Sequence, residues 1–183
     1  MPNKFTTQIL RDTTTDVVIK LTGQFDGASG NETANNNKVV ANSFYGALAT
    51  NGYLVANNQG GAANTALPYY GLQLTSAQYY VSMSTASPPG SVELYWVGSN
   101  NTTANNATIF YLNGNGEYGS QQQPAIYNNA IGPNGNLGIN TYGVTANTAY
   151  TLILSLRKDN AYYQRGQFND PAAFNYGQYK ITP

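Results

Sequence analysis

The chain has 183 residues, with eight lysines and arginines against eight aspartates and glutamates, and it holds no cysteine and no histidine. Those two absences exclude disulfides, thiolate nucleophiles, the common zinc sites and any Ser-His-Asp relay. Only 9% of residues are charged, and between Val39 and Leu156 the charged side chains are Glu93 and Glu117 alone, so the middle of the chain lacks the self-repulsion that keeps crowded proteins apart.

Residues 1–15 are polar with isolated apolar anchors at Phe5, Ile9 and Leu10, which predicts an N-terminal arm. The first strand follows, with Val17, Ile19 and Leu21 alternating with Asp16, Lys20 and Thr22; Val18 on the other face suggests cover from both sides. Asp26 to Asn37 is expected as a loop, because Gly27, Gly30 and three consecutive asparagines bury too little to order a regular element. Lys38 to Tyr45 permits a further strand, and Asn51 to Ala66, rich in Asn, Gly and Ala, predicts a long surface loop.

Gly71 to Met83 returns to a strand pattern through Leu72, Leu74, Tyr79, Val81 and Met83. Pro88-Pro89-Gly90 forces a turn. Val92, Leu94 and Trp96 then alternate with Glu93 and Tyr95, which places the single tryptophan on the apolar face. Ile109-Phe110-Tyr111-Leu112 followed by Asn113-Gly114-Asn115-Gly116 predicts a β-hairpin, since Asn-Gly tolerates the positive φ of tight turns. A second turn at Pro133-Asn134-Gly135 precedes Leu137, Ile139 and Thr141.

The strongest strand signal is Tyr150 to Arg157, where Tyr150, Leu152, Leu154 and Leu156 share one face. Ile153 interrupts its polar face, which predicts a central strand. After Asp159 the chain becomes aromatic and irregular, with Asp170-Pro171-Ala172-Ala173-Phe174 resembling a capped helical turn. Short strands, Gly/Asn/Pro turns and no amphipathic helix predict an all-β fold: a single antiparallel β-sandwich of jelly-roll or immunoglobulin-like type over residues 16–158, with an N-terminal arm at 1–15 and an aromatic C-terminal arm at 159–183. No apolar run approaches the roughly 20 residues that cross a bilayer, and residues 1–25 lack a basic-then-apolar leader, so neither a membrane partner nor a secretion signal is expected.

Two terminal segments carry a resemblance. Ile9-Leu10-Arg11-Asp12-Thr13-Thr14-Thr15-Asp16-Val17-Val18-Ile19-Lys20-Leu21-Thr22-Gly23, and Leu154 to Asp159 running into Tyr163 and Asp170 to Gly177, resemble the start and end of small virion structural proteins of tailed bacteriophages, particularly those infecting marine cyanobacteria. Leu112 to Gly116, Asn128-Asn129-Ala130 and Gly138-Ile139-Asn140 are similar more loosely, and the Asn- and Tyr-rich middle departs from that pattern. The resemblance implies a non-enzymatic particle component located in the virion, a capsid decoration or cement protein, or a piece of neck, tail or fibre. It implies multiple copies or a homo-oligomer, and the major capsid protein or other virion proteins as partners. The residues expected to grip a neighbour are Tyr162, Tyr163, Arg165, Phe168, Phe174, Tyr176 and Tyr179 in the C-terminal arm and Phe5, Ile9, Leu10 and Arg11 in the N-terminal arm.

The residues permit other chemistries. A glycoside hydrolase needs two carboxyl groups about 5–10 Å apart, and the pattern permits Asp12 with Asp16 on a strand face, or Glu93 with Glu117 across a sheet. Scattered acids that are solvated or paired with Arg11, Lys20 or Arg157 account for the same residues, and no catalysis is expected. Sixteen tyrosines, Trp96 and many amides suit a shallow site for surface glycans, although Trp96 shares its face with Val92 and Leu94 and so also reads as core. Asn113 to Glu117 lacks the first aspartate and the later glutamate of a calcium loop, so neither metal nor cofactor is expected. Arg157, Lys158 and Arg165 form no basic stripe, and nucleic acid is not expected as a partner.

Overall fold

The computed structural model describes residues 3–32, 37–44, 72–82, 89–119, 123–131 and 135–158, and among them it contains nine strands and no α-helix. The strands are β1 Lys4–Asp12, β2 Asp16–Gln24, β3 Asn37–Val39, β4 Leu72–Ser82, β5 Ser91–Trp96, β6 Ala107–Leu112, β7 Gly114–Tyr118, β8 Leu137–Tyr142 and β9 Ala149–Lys158. They form a five-stranded sheet in the order β1-β2-β9-β4-β7 and a four-stranded sheet in the order β3-β8-β5-β6. Every pairing is antiparallel. The pairs nest: β5 with β6, β4 with β7, β3 with β8 and β2 with β9. A long hairpin rolled up in this way is a jelly roll, which selects one of the two sandwich types anticipated. No helix of the described residues is long and apolar enough to cross a membrane.

The core lies between the sheets and follows the alternation of the strands. Val17, Ile19 and Leu21 from β2 and Tyr150, Leu152, Leu154 and Leu156 from β9 meet Val92, Leu94 and Trp96 from β5 and Leu137 and Ile139 from β8, all buried. β9 is the central strand of the larger sheet, as the apolar break at Ile153 suggested. On β4 the inward set changes phase, from Leu72 and Leu74 to Ala77 and Val81, because a bulge between Leu74 and Ser76 inserts one residue against β9.

Three expectations need correction. Of the expected arm over residues 1–15, the part from Lys4 is not detached: β1 pairs with β2 from Lys4↔Gln24 to Asp12↔Val17 and forms the edge of the larger sheet. The turn between them is closed by the Thr13 amide donating to the Asp16 carbonyl at 2.9 Å and the Asp16 amide donating to Thr13 Oγ1 at 3.0 Å. Ile109 to Tyr118 is not a hairpin either. β6 pairs with β5 in one sheet and β7 with β4 in the other, so Asn113-Gly114 carries the chain across the sandwich rather than reversing it within a sheet. The strand expected over Lys38 to Tyr45 stops at Val39, and a short 3-10 turn over Ala41–Ser43 follows. The Asn51 to Ala66 loop and the C-terminal arm at 159–183 lie outside the described residues.

Two buried ion pairs anchor the ends of these strands. Lys158, 1% exposed, donates to Asp12 Oδ1 and to the Thr13 carbonyl, the latter at 2.6 Å, while its backbone amide reaches the Thr15 carbonyl at 2.7 Å. The last residue of β9 thereby holds the β1–β2 turn. Glu32, 4% exposed, pairs with Lys38 and accepts the Tyr150 hydroxyl at 2.9 Å. Burial pushes the Glu32 carboxyl above its ordinary 4.5, a shift that Lys38 and Tyr150 only partly oppose.

Candidate functional site

Three surface regions carry side chains that the core does not use. The first is β1. Its inner edge is paired with β2, and among the described residues no strand pairs with its outer edge. Ile9 and Leu10 are each 48% exposed there, and Leu10 is the extra residue of a bulge between Ile9 and Arg11. Arg11 is exposed as well. Phe5 differs from the expectation of a gripping residue: its ring packs edge-on against Phe25 at 5.5 Å and lies under the Lys38 ammonium at 4.3 Å, so it serves its own core. Of the four N-terminal residues singled out, Ile9, Leu10 and Arg11 are exposed, Ile9 at the rim of the inner face because it sits opposite the buried Ile19. Tyr162, Tyr163, Arg165, Phe168, Phe174, Tyr176 and Tyr179 lie outside the described residues.

The second region is an open groove of about 450 Å³ on the outer face of the larger sheet, where β7, β4 and β9 run side by side. Register explains its lining. Gln78 sits opposite both Glu117 and Ile153, and Tyr80 opposite both Asn115 and Thr151. The Tyr80 ring is 62% exposed, beside the Ile153 side chain and within reach of amide, hydroxyl and carboxylate groups.

The third region is the outer face of the smaller sheet. Glu93 points outward from β5 because its neighbours Val92 and Leu94 point inward, yet it is only 7% exposed. Thr108 Oγ1 donates to its Oε1 at 2.5 Å, and Asn140 Nδ2 and the Tyr142 hydroxyl donate to Oε2 at 2.8 and 2.7 Å. Burial pushes the Glu93 carboxyl up, but the donors Thr108, Asn140, Tyr142 and Tyr111 together outweigh it and hold the group below its ordinary 4.5. Donation to Glu93, with partial burial, pushes the Tyr142 phenol up to about 12. Tyr111 and Tyr142 reach this carboxylate with their hydroxyls from β6 and β8, with ring centroids 6.3 Å apart and planes inclined at 48°. Beyond Glu93 on β5, Tyr95 lies flat across Gly138, where any Cβ would overlap the ring.

The remaining residues of interest are placed elsewhere. Glu93 and Glu117 belong to different sheets, so they do not meet across one sheet as the sequence permitted. Asp12 is engaged by Lys158, and Asp16 accepts the Thr15 hydroxyl at 2.5 Å. Lys158 is buried against a carboxylate rather than exposed beside Arg157. Trp96 is fully buried in the core and offers no face to a sugar. The grouping of Glu93 with Tyr111 and Tyr142 was missed, since strand order alone brings these three strands together. The one available signal was Glu93 itself, the single charge in a strand that after Ser91 is otherwise apolar and aromatic.

Comparison of the chain with family models, curated proteins and solved structures found no match to any of them.

Proposed function

We propose that this chain is a non-enzymatic structural subunit of a tailed-phage particle, a decoration or cement protein bound to the outside of the capsid. The observation that carries this reading is the outer edge of β1, nine residues long, unpaired among the described residues and bearing Ile9 and Leu10 at 48% exposure. An unpaired edge presents a row of amides and carbonyls that a strand of another chain can extend, and exposed apolar side chains add affinity to such pairing. The terminal resemblance and the charge-poor body support the same reading, and jelly rolls serve as viral capsid domains. The mechanism is mass action: a protein that binds only the assembled shell, by gripping the major capsid protein, stabilises that shell.

Co-sedimentation with purified shells tests this. The double change Ile9→Asp and Leu10→Asp should weaken association at least about tenfold while leaving the β-sheet circular dichroism intact. Unchanged association by the folded variant would remove β1 from the anchor. Deletion of residues 161–183 in a parallel sample measures the contribution of the C-terminal segment separately.

A second reading is glycan contact, favoured by the groove beside Tyr80, where an exposed ring lies among amide and hydroxyl groups as in shallow sugar sites. A glycan array with wild type and Tyr80→Ala decides it. Sugar binding lost in the variant supports the reading, and no bound sugar ends it.

A further inference from the structure

The Glu93 cluster does more than join three strands. A carboxylate that is 7% exposed ordinarily has a cation beside it, because burying an unpaired charge is costly. Here the groups that hold it are neutral: Thr108, Asn140, Tyr142 and Tyr111. Among the described residues no lysine or arginine forms an ion pair with it. The segment from Val39 to Leu156 contains no cation at all.

Two observations set the geometry. Tyr111 and Tyr142, 65% and 44% exposed, point their hydroxyls at this carboxylate, and their ring planes are inclined at 48° with centroids 6.3 Å apart. They form a notch rather than a flat platform. The ring faces carry the negative side of the aromatic quadrupole, and a phenol that donates its proton toward a carboxylate becomes more electron-rich. A compact cation seated between rings whose centroids are 6.3 Å apart falls within the roughly 6 Å range of both at which cation–π attraction acts, and it is attracted to the carboxylate that accepts their hydroxyls.

We infer that Glu93, Tyr111 and Tyr142 form a recognition site for an organic cation, an alkylammonium or guanidinium head group, presented as a lysine or arginine side chain by a protein partner. Glu93 positions the rings through their hydroxyls and supplies the charge; Tyr111 and Tyr142 make the contact. A flat pyranose ring fits this notch poorly, since stacking needs a planar surface. The site is independent of the β1 edge, so either proposal can fail without the other.

The test is a nuclear magnetic resonance titration of the full chain, with tyrosine rings carbon-13 labelled. The probes are tetramethylammonium, N-acetyl-arginine methylamide, its neutral citrulline counterpart and methyl glucoside. The expected result is saturable shifts at Tyr111 and Tyr142 with the two cations, and binding of the citrulline probe about fivefold weaker or less. Glu93→Gln should weaken the arginine probe about fivefold to tenfold and leave the citrulline probe unchanged. Tyr111→Leu, at an exposed position that the fold tolerates, should weaken both cations about threefold and keeps the test open if Glu93→Gln fails to fold. Saturation by tetramethylammonium without the arginine probe would assign the site to a free amine and overturn the protein-partner source. Equal binding of the neutral probe, or saturation by the glucoside alone, would overturn the proposal.

Discussion

Glu32 and Glu93 are both buried glutamates, and their surroundings push them in opposite directions. At Glu32 burial dominates, and the carboxyl sits above its ordinary 4.5 despite Lys38 and Tyr150. The folded state then binds more protons than the unfolded state just above pH 4.5, so this residue's contribution to stability is largest below that window and falls as pH rises through the folded value. At Glu93 the hydrogen-bond donors dominate, and the carboxyl sits below 4.5. Its contribution is present above 4.5 and is lost as pH falls through the folded value. Urea midpoints between about pH 3 and 7 should therefore show a flatter acid limb for Glu93→Gln and a flatter descent above 4.5 for Glu32→Gln. An acid limb as steep in Glu93→Gln as in wild type would show that the donors around Glu93 do not favour its charged form.

At the scale of elements, the ends of β7 show what its crossing demands. Gly114 and Gly119 both have positive φ, 71° and 87°. A Cβ on Gly114 would meet nothing within 4 Å, whereas one on Gly119 would overlap the Thr75 carbonyl at the β4 bulge. Gly114→Ala should cost about 1 kcal/mol from backbone strain alone, and Gly119→Ala roughly 2 kcal/mol more because the bulge has to move. Equal costs in urea unfolding would mean the bulge is soft. The same region marks how far the sequence could be read. Val17, Ile19 and Leu21 on β2, Val92, Leu94 and Trp96 on β5, and Leu152, Leu154 and Leu156 on β9 announce their strands, because a half-buried strand writes its inner face as alternation. β1 announces nothing, since an edge strand exposed along most of its length has no apolar face to alternate. Asn113-Gly114 was misread because turn chemistry reports a local change of direction and not which sheet receives the next strand. The Glu93 cluster was hidden for the same reason: Tyr111 and Tyr142 reach it through pairings 18 and 49 residues away in sequence.

Across the whole molecule, the nested winding puts β2, near the start of the chain, beside β9, the last described strand and the centre of the larger sheet. β2 and β9 pair over nine residues, from Asp16↔Arg157 to Gln24↔Ala149, after more than a hundred residues of intervening chain. Closing so distant a pair costs chain entropy before contacts repay it, so folding should be slow for the size, in the millisecond-to-second range of strongly non-local β proteins. The Lys158 ammonium then ties the β1–β2 turn to the end of β9 through Asp12 and the Thr13 carbonyl. Removing one partner leaves the other charge buried, so Asp12→Ala should cost about 3 kcal/mol in urea unfolding and Lys158→Met a comparable amount. Replacing both with apolar groups, Asp12→Leu with Lys158→Met, removes both desolvation penalties at once, and the double variant should lie within about 1 kcal/mol of wild type. That non-additivity separates a buried pair from two independent surface charges. If the two single costs simply sum in the double variant, Asp12 and Lys158 act independently, and the ion pair between them contributes nothing to holding the rolled sheets closed.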